Sequence, residues 1–214
     1  MGVRLLSYTA STSASDAVQS RLAALGAERA GRWRTQCTYF NPRIEAHDLQ
    51  DLFAVQFGEL PETQFLVTMP SSSSAGVVLD AGYEIGGVLE AMRTHSHRLK
   101  VTAEGGLHRC GDFTIRQGRV FLNESLAGTL VDVEYVPCQA AGAATGLLTE
   151  FLALLLPPAE REFCSNDDCY VGKLPRAFGG GHAACQFVAL LRARLLGLEG
   201  SSGAAASSSS KGKG

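Results

Sequence analysis

Apolar and polar positions change rhythm several times along the chain. Val3 to Tyr8 is a short apolar run, which predicts a strand. Val18, Leu22 and Leu25 then share one helical face. Ser15 is an N-cap residue type and Gly26 a stop, so a helix is expected from Ser15 to Leu25. Strand-like segments follow at Arg32 to Phe40, "LFAVQFG", "TQFLVTM" and "GVVLD". Phe53, Val55 and Phe57 alternate in the second of these, which gives it one buried face. The Ser71–Ser74 run reads as a flexible turn.

The spacing changes to i, i+3, i+4, i+7 at Ile85, Val88, Leu89 and Met92. That predicts a helix over Tyr83 to Thr94 with one apolar stripe. Four strands are expected next: His97–Glu104, Leu107–Arg116, Arg119–Glu124 and Thr129–Pro137. Short turns separate them at Gly105-Gly106, Gln117-Gly118 and Ala127-Gly128, a spacing that points to antiparallel hairpins. A helix over Ala143 to Leu156 ends at Pro157-Pro158. A long loop, 157–180, precedes a last helix from His182 to Leu196 with Ala184, Phe187, Val188, Leu191 and Leu195 as its stripe. The sum is an α+β fold: an antiparallel, barrel-like β-sheet of about eight strands with flanking helices. Residues 1–199 are expected to form a single domain. The Gly/Ser/Ala tail 200–214 is too polar and too simple to bury a core, so it is expected to be disordered.

Composition narrows the partners. The 214 residues carry a formal net charge of −2, which gives no electrostatic footprint for nucleic acid or an anionic membrane. No direct sequence-specific nucleic-acid binding and no membrane partner are expected. The six cysteines are sparse and no apolar leader precedes them, which favours reduced thiols.

The run "HRCGDFTIRQ" places His108, Cys110 and Asp112 within five positions. A cysteine nucleophile needs a lowered pKa, from a helix N-terminus or a paired imidazolium. Nothing in the sequence supplies either to Cys110. The alternation of Phe113 and Ile115 with Asp112, Thr114 and Arg116 favours a plain hairpin strand, with Gly111 as a bulge or a close backbone approach. Cys164, Cys169, His182 and Cys185 form C-x4-C-x12-H-x2-C, a candidate zinc set of irregular spacing. "FGGGHAAC" could hold an anion at a helix start, but lacks the glycine and lysine pattern of a phosphate loop. "RTHSHRLK", Arg93 to Lys100, is a basic cluster at a helix end. Asp132 and Glu134 alternate with Val131, Val133 and Tyr135. They could serve a metal inside a polar barrel, as in tunnel-type triphosphatases, but a half-exposed strand is the simpler reading. No catalytic residue, resident metal or cofactor is therefore expected. A barrel-type phosphohydrolase and a zinc-stabilised interaction module are the alternatives.

Three motifs carry a family resemblance. Gly111-Asp112-Phe113 with Ile115 and Gly118 form the first, and Val133-Glu134-Tyr135-Val136-Pro137-Cys138 the second. Leu147-Leu148-Thr149-Glu150-Phe151-Leu152 form the third, supported by the "MGV" start and by Leu25 to Glu28. Together these resemble the family of subunit 20 of the Mediator head module. The resemblance implies Gly111, Asp112, Phe113, Gly118, Glu134, Tyr135, Pro137 and Cys138 as structural motif residues. It implies a barrel-like fold, direct pairing with Mediator subunit 18, and tethering by subunit 8 to the rest of the head module. It also implies an indirect link to the RNA polymerase II machinery, a nuclear location and no catalysis. The loop 157–180 has no counterpart in the family, and His108 and Cys110 replace its expected aromatics.

Overall fold

The structure is a computed structural model, and it describes residues 1–43, 49–70, 75–157 and 174–196. Eight strands form one antiparallel sheet in the order β1-β8-β7-β6-β2-β3-β4-β5. They are β1 (Val3–Thr9), β2 (Glu28–Pro42), β3 (Leu52–Phe57), β4 (Thr63–Thr68), β5 (Val77–Gly82), β6 (His95–Cys110), β7 (Phe113–Leu122) and β8 (Ser125–Tyr135). The helices are α1 (Ala14–Ala24), α2 (Ile85–Met92), α3 (Thr145–Leu155) and α4 (Gly180–Arg194). The sheet curls without closing, so β1 and β5 remain its two edges.

Register separates two faces. The inner face carries Arg4, Asp132, Glu134, Arg116, Trp33, Cys37, Val55, Phe57, Phe65 and Val67. Most of these are apolar and buried, and they form the main core. Helix α4 lies on this face and touches β1 as well as β3, β4 and β5. It therefore spans the gap between the two ends of the curl. Its residues from His182 to Val188 are all buried, a wider burial than one apolar stripe predicts. Helices α1 and α3 cover the outer face at β1, β7 and β8. The Arg21 guanidinium ties them together by donating to the Leu155 carbonyl at 2.9 Å. Phe40, Leu52, Ala54, Leu66 and Leu89 form a smaller outer core where α2 sits.

Helix α1 starts at Ala14, and Ser13 rather than Ser15 holds the N-cap position. The Ser15 hydroxyl instead donates to Gln117 Oε1 at 3.1 Å, which pins α1 to the sheet. Gly26, at φ +71, does end the helix. Its N–H bonds the Ala23 carbonyl and that of Ala27 bonds the Leu22 carbonyl, the paired bonds of a Schellman stop. Helix α2 is shorter than its pattern predicts, and only Leu89 of its stripe is buried; Val88 and Met92 stay exposed.

The largest correction concerns the hairpins. The four expected strands between 97 and 137 are three long ones. Gly105-Gly106 and Gln117-Gly118 are not turns but lie mid-strand, with Gly105 directly opposite Gly118. A Cβ on Gly105 would strike the Gln117 carbonyl oxygen, and one on Gly118 the Glu104 carbonyl oxygen. The two glycines let the strands approach closely. Ala127-Gly128 likewise lies within β8, at a register shift opposite Val120. The actual turns are Gly111-Asp112, between Cys110 and its partner Phe113, and Asn123-Glu124, between Leu122 and its partner Ser125. Gly111 at φ +54 is the first turn residue and supplies the positive φ that tight hairpins of this kind require. Gly111 is thus neither a bulge nor a close approach.

Candidate functional site

The motif residues converge at one end of the molecule. The Asp112 carbonyl accepts the Val136 N–H at 3.0 Å, so the β6–β7 turn is tied to the chain leaving β8. The Phe113 ring stacks on Phe151 of α3 with centroids 4.1 Å apart and tilts against Tyr135 at 5.3 Å. Pro137 sits in the turn after β8, and the Cys138 carbonyl accepts the Val3 N–H at 2.8 Å. Gly111, Asp112, Phe113, Tyr135, Pro137 and Cys138 together fasten turn, strand and helix. Gly118 and Glu134 lie elsewhere, the first in the β6–β7 contact and the second inside the curl.

Glu134 belongs to a buried ion cluster that the sequence reading missed. Arg4, Arg116, Asp132, Glu134 and Glu59 meet on the inner face, and each arginine reaches all three carboxylates. The shortest pairs are Arg116 to Glu134 and Arg4 to Glu59, both 2.7 Å. Glu134 Oε1 also accepts the Gly2 N–H at 2.6 Å. The Arg4 side chain is 1% exposed and Asp132 4%. A half-exposed strand at 129–137 is therefore wrong: all of β8 from Gly128 to Glu134 is buried, because α1 and α3 cover one face and the curl the other. The available signals were an arginine inside the apolar run "GVRLLSY" and two carboxylates inside "LVDVEY". Only the β1–β8 pairing, which sets Arg4 opposite Glu134, brings them together.

Ionisation follows from this arrangement. Burial opposes the charged Glu134 carboxylate, yet Arg4, Arg116 and the Gly2 amide hold its pKa below the usual value. Asp132 is pushed the other way: burial raises it despite both arginines. Its Oδ1 has no hydrogen-bond donor among the described residues. Burial works against the Arg116 cation too, but Asp132, Glu59 and Glu134 hold its pKa above the ordinary range. The cluster thus spends its carboxylates on its own guanidinium groups. Its chemistry is charge compensation, which leaves no pair of free carboxylates for acid–base work or for a cation.

The other candidates are dispersed. His108 is 5% exposed on the outer face, with its Nε2 against Gly106, and Cys110 lies near the Leu25 carbonyl at the end of α1. The two side chains serve separate contacts. Of the zinc set, Cys164 and Cys169 lie outside the described residues. His182 and Cys185 are buried in α4, where His182 Nδ1 accepts the Gly179 N–H at 3.2 Å and the ring stacks on Phe178. The glycine run before α4 is packed: Gly180 lies against the Phe65 ring and Gly181 against Leu174 and Val78. The helix start is therefore closed to an anion. In the 93–100 run, Arg93 takes a left-handed φ of 54 at the end of α2. His95 there bonds Thr94 and the Gln50 carbonyl. Ser71–Ser74, most of the 157–180 loop and the tail lie outside the described residues.

Fold and site define a class: a curled antiparallel α+β half-barrel, sealed by one helix, with its buried arginines and carboxylates paired to each other. The sequence model described as "TATA-binding related factor (TRF) of subunit 20 of Mediator complex" matches residues 1–192, and the chain belongs to that family. Among relatives, Mediator of RNA polymerase II transcription subunit 20b of Arabidopsis thaliana is 26% identical over 64% of this chain and 64% of its own length. The Homo sapiens subunit 20 is 25% identical over 71% of this chain and 75% of its own. The chain thus spans just under two thirds of the plant relative. A solved chain of the Schizosaccharomyces pombe Mediator head module is similar at 14% identity and a TM-score of 0.42. The match covers 75% of this chain and 96% of that chain.

Proposed function

We propose that this chain is a non-catalytic subunit of the Mediator head module that pairs directly with Mediator subunit 18. In this reading it acts in the nucleus as a coregulator of RNA polymerase II transcription, with subunit 8 joining the pair to the rest of the module. The observation that carries the proposal is the family match over residues 1–192. The self-compensated interior supports it, since Arg4 and Arg116 occupy the carboxylates that a barrel phosphohydrolase needs free. So does the surface: Val77, Leu79, Tyr83, Val88 and Met92 are exposed apolar residues on or beside β5 and α2. Exposed apolar area of this kind is ordinarily covered by a partner. The test is a pull-down of the tagged full chain from nuclear extract, scored for subunits 18 and 8. Stoichiometric recovery of subunit 18 supports the reading. A soluble monomer that leaves subunit 18 in the flow-through overturns it.

A further inference from the structure

A cleft of about 980 Å³ lies beside the Gly105–Gly118 pair, between α1 and the middle of β2, β6 and β7. Its charge does not match that of the chain. Setting aside Arg116 and Glu59, which belong to the buried cluster, its walls hold Arg29, Arg32, Arg34, Arg109 and Arg119 against Asp16 and Glu104. That is a local excess of three positive charges on a chain of net −2. Among the described residues, only Arg34 of these has a carboxylate partner, Glu104 at 3.7 Å. Among the described residues, no carboxylate lies within ion-pairing distance of the other four, and all four are exposed. Trp33, the chain's single tryptophan, also lines the cleft. Its side chain is buried, at 6% exposure, and lies on the face of β2 opposite Arg32 and Arg34.

We infer that this cleft binds a short, extended, carboxylate-rich segment of another protein. Geometry selects the form. Arg32 and Arg34 share a face of β2, roughly 6–7 Å apart along the strand. Arg119 lies across Glu104 from Arg34, two strand spacings away, or about 10 Å. An extended segment with acidic side chains at every second position matches the first spacing and reaches the second. Nucleic acid fits less well. Its closely spaced phosphates would meet Asp16 and Glu104, the rest of the chain repels a long polyanion, and the buried Trp33 ring presents no stacking face. The surface is separate from the exposed apolar residues around β5, and the inference does not depend on the Mediator reading.

The test uses the full chain and a fluorescein-labelled 12-residue peptide alternating Glu with Ser and Thr. Binding is read by anisotropy. The peptide is expected to bind, with affinity falling at least tenfold between 50 and 200 mM salt. The double variant Arg32→Glu/Arg119→Glu should lose at least tenfold, while Arg98→Glu, an exposed cation outside the cleft, should leave binding unchanged. An unchanged urea midpoint confirms that the double variant is folded. Unaltered binding by the double variant, or no binding by the native chain, overturns the inference. Equal or tighter binding of single-stranded DNA or of inorganic tripolyphosphate overturns it as well, because the cleft would then be a phosphate site.

Discussion

The two edges of the sheet have the same backbone problem and opposite solutions. At β1 all seven residues are buried, although one of them is an arginine. Helix α4 packs against this edge, and Gln186 donates to the Arg4 carbonyl at 3.1 Å. At β5 the partner strand β4 covers one side only, and Val77 and Leu79 remain 45% and 57% exposed. No proline or lysine guards that edge. The difference teaches where stability and association are divided. The β1 end is held by long-range ion pairs inside the chain. The β5 end is left for something outside it.

Four changes would sharpen or break this contrast. The largest effect is expected from Arg4→Met, which leaves Asp132 and Glu134 short of one cation in a buried site. Removing one partner of a buried pair costs about 3–5 kcal/mol, read as a fall in urea-unfolding free energy. A loss under about 1 kcal/mol would mean that the cluster adds nothing at β1. Phe113→Ala should cost about 2 kcal/mol, below the range for a fully buried ring, because Phe113 is only half-buried between Phe151 and Tyr135. A smaller, pH-dependent effect belongs to His108. Burial first, and then Arg29, lower its pKa from the ordinary 6.5. The unfolded chain therefore takes up the proton more readily, so stability present above pH 6.5 is lost as pH falls below it. The urea midpoint of native protein should drop from pH 7.5 to pH 5.5 by more than that of His108→Gln; parallel curves would remove His108 from the account. Leu79→Lys should be the mildest, within about 0.5 kcal/mol of native stability. It should nonetheless reduce concentration-dependent association of the isolated chain, measured by sedimentation velocity.

Much of the β5 half was legible because its signals are local. Phe53, Val55 and Phe57 alternate, and β3, β4 and β5 fall where their patterns place them. The β1 half was less so, because its signals are relations between distant residues. Glycine in a strand reads locally as a turn, yet Gly105 and Gly118 are explained only by each other. Asp132 and Glu134 read as solvent-facing until Arg4 and Arg116 are set beside them. The basic cleft was hidden for the same reason. Arg29, Arg32, Arg34, Arg109 and Arg119 are scattered over some 90 positions and share a surface only through the register of β2, β6 and β7.

The seal over β1 also sets an order of events in time. Arg4 must wait for Asp132, 128 positions later, and Gln186 follows 182 positions after Arg4. On a ribosome adding about 5–20 residues per second, the first strand emerges many seconds before the helix that closes over it. Until β8 follows, β1 has neither its neighbouring strand nor the carboxylates of Asp132 and Glu134. Such distant pairings also slow folding, toward the millisecond-to-second range of sheet-rich domains. The cluster that stabilises the finished protein thus cannot form until more than half of the chain has been made.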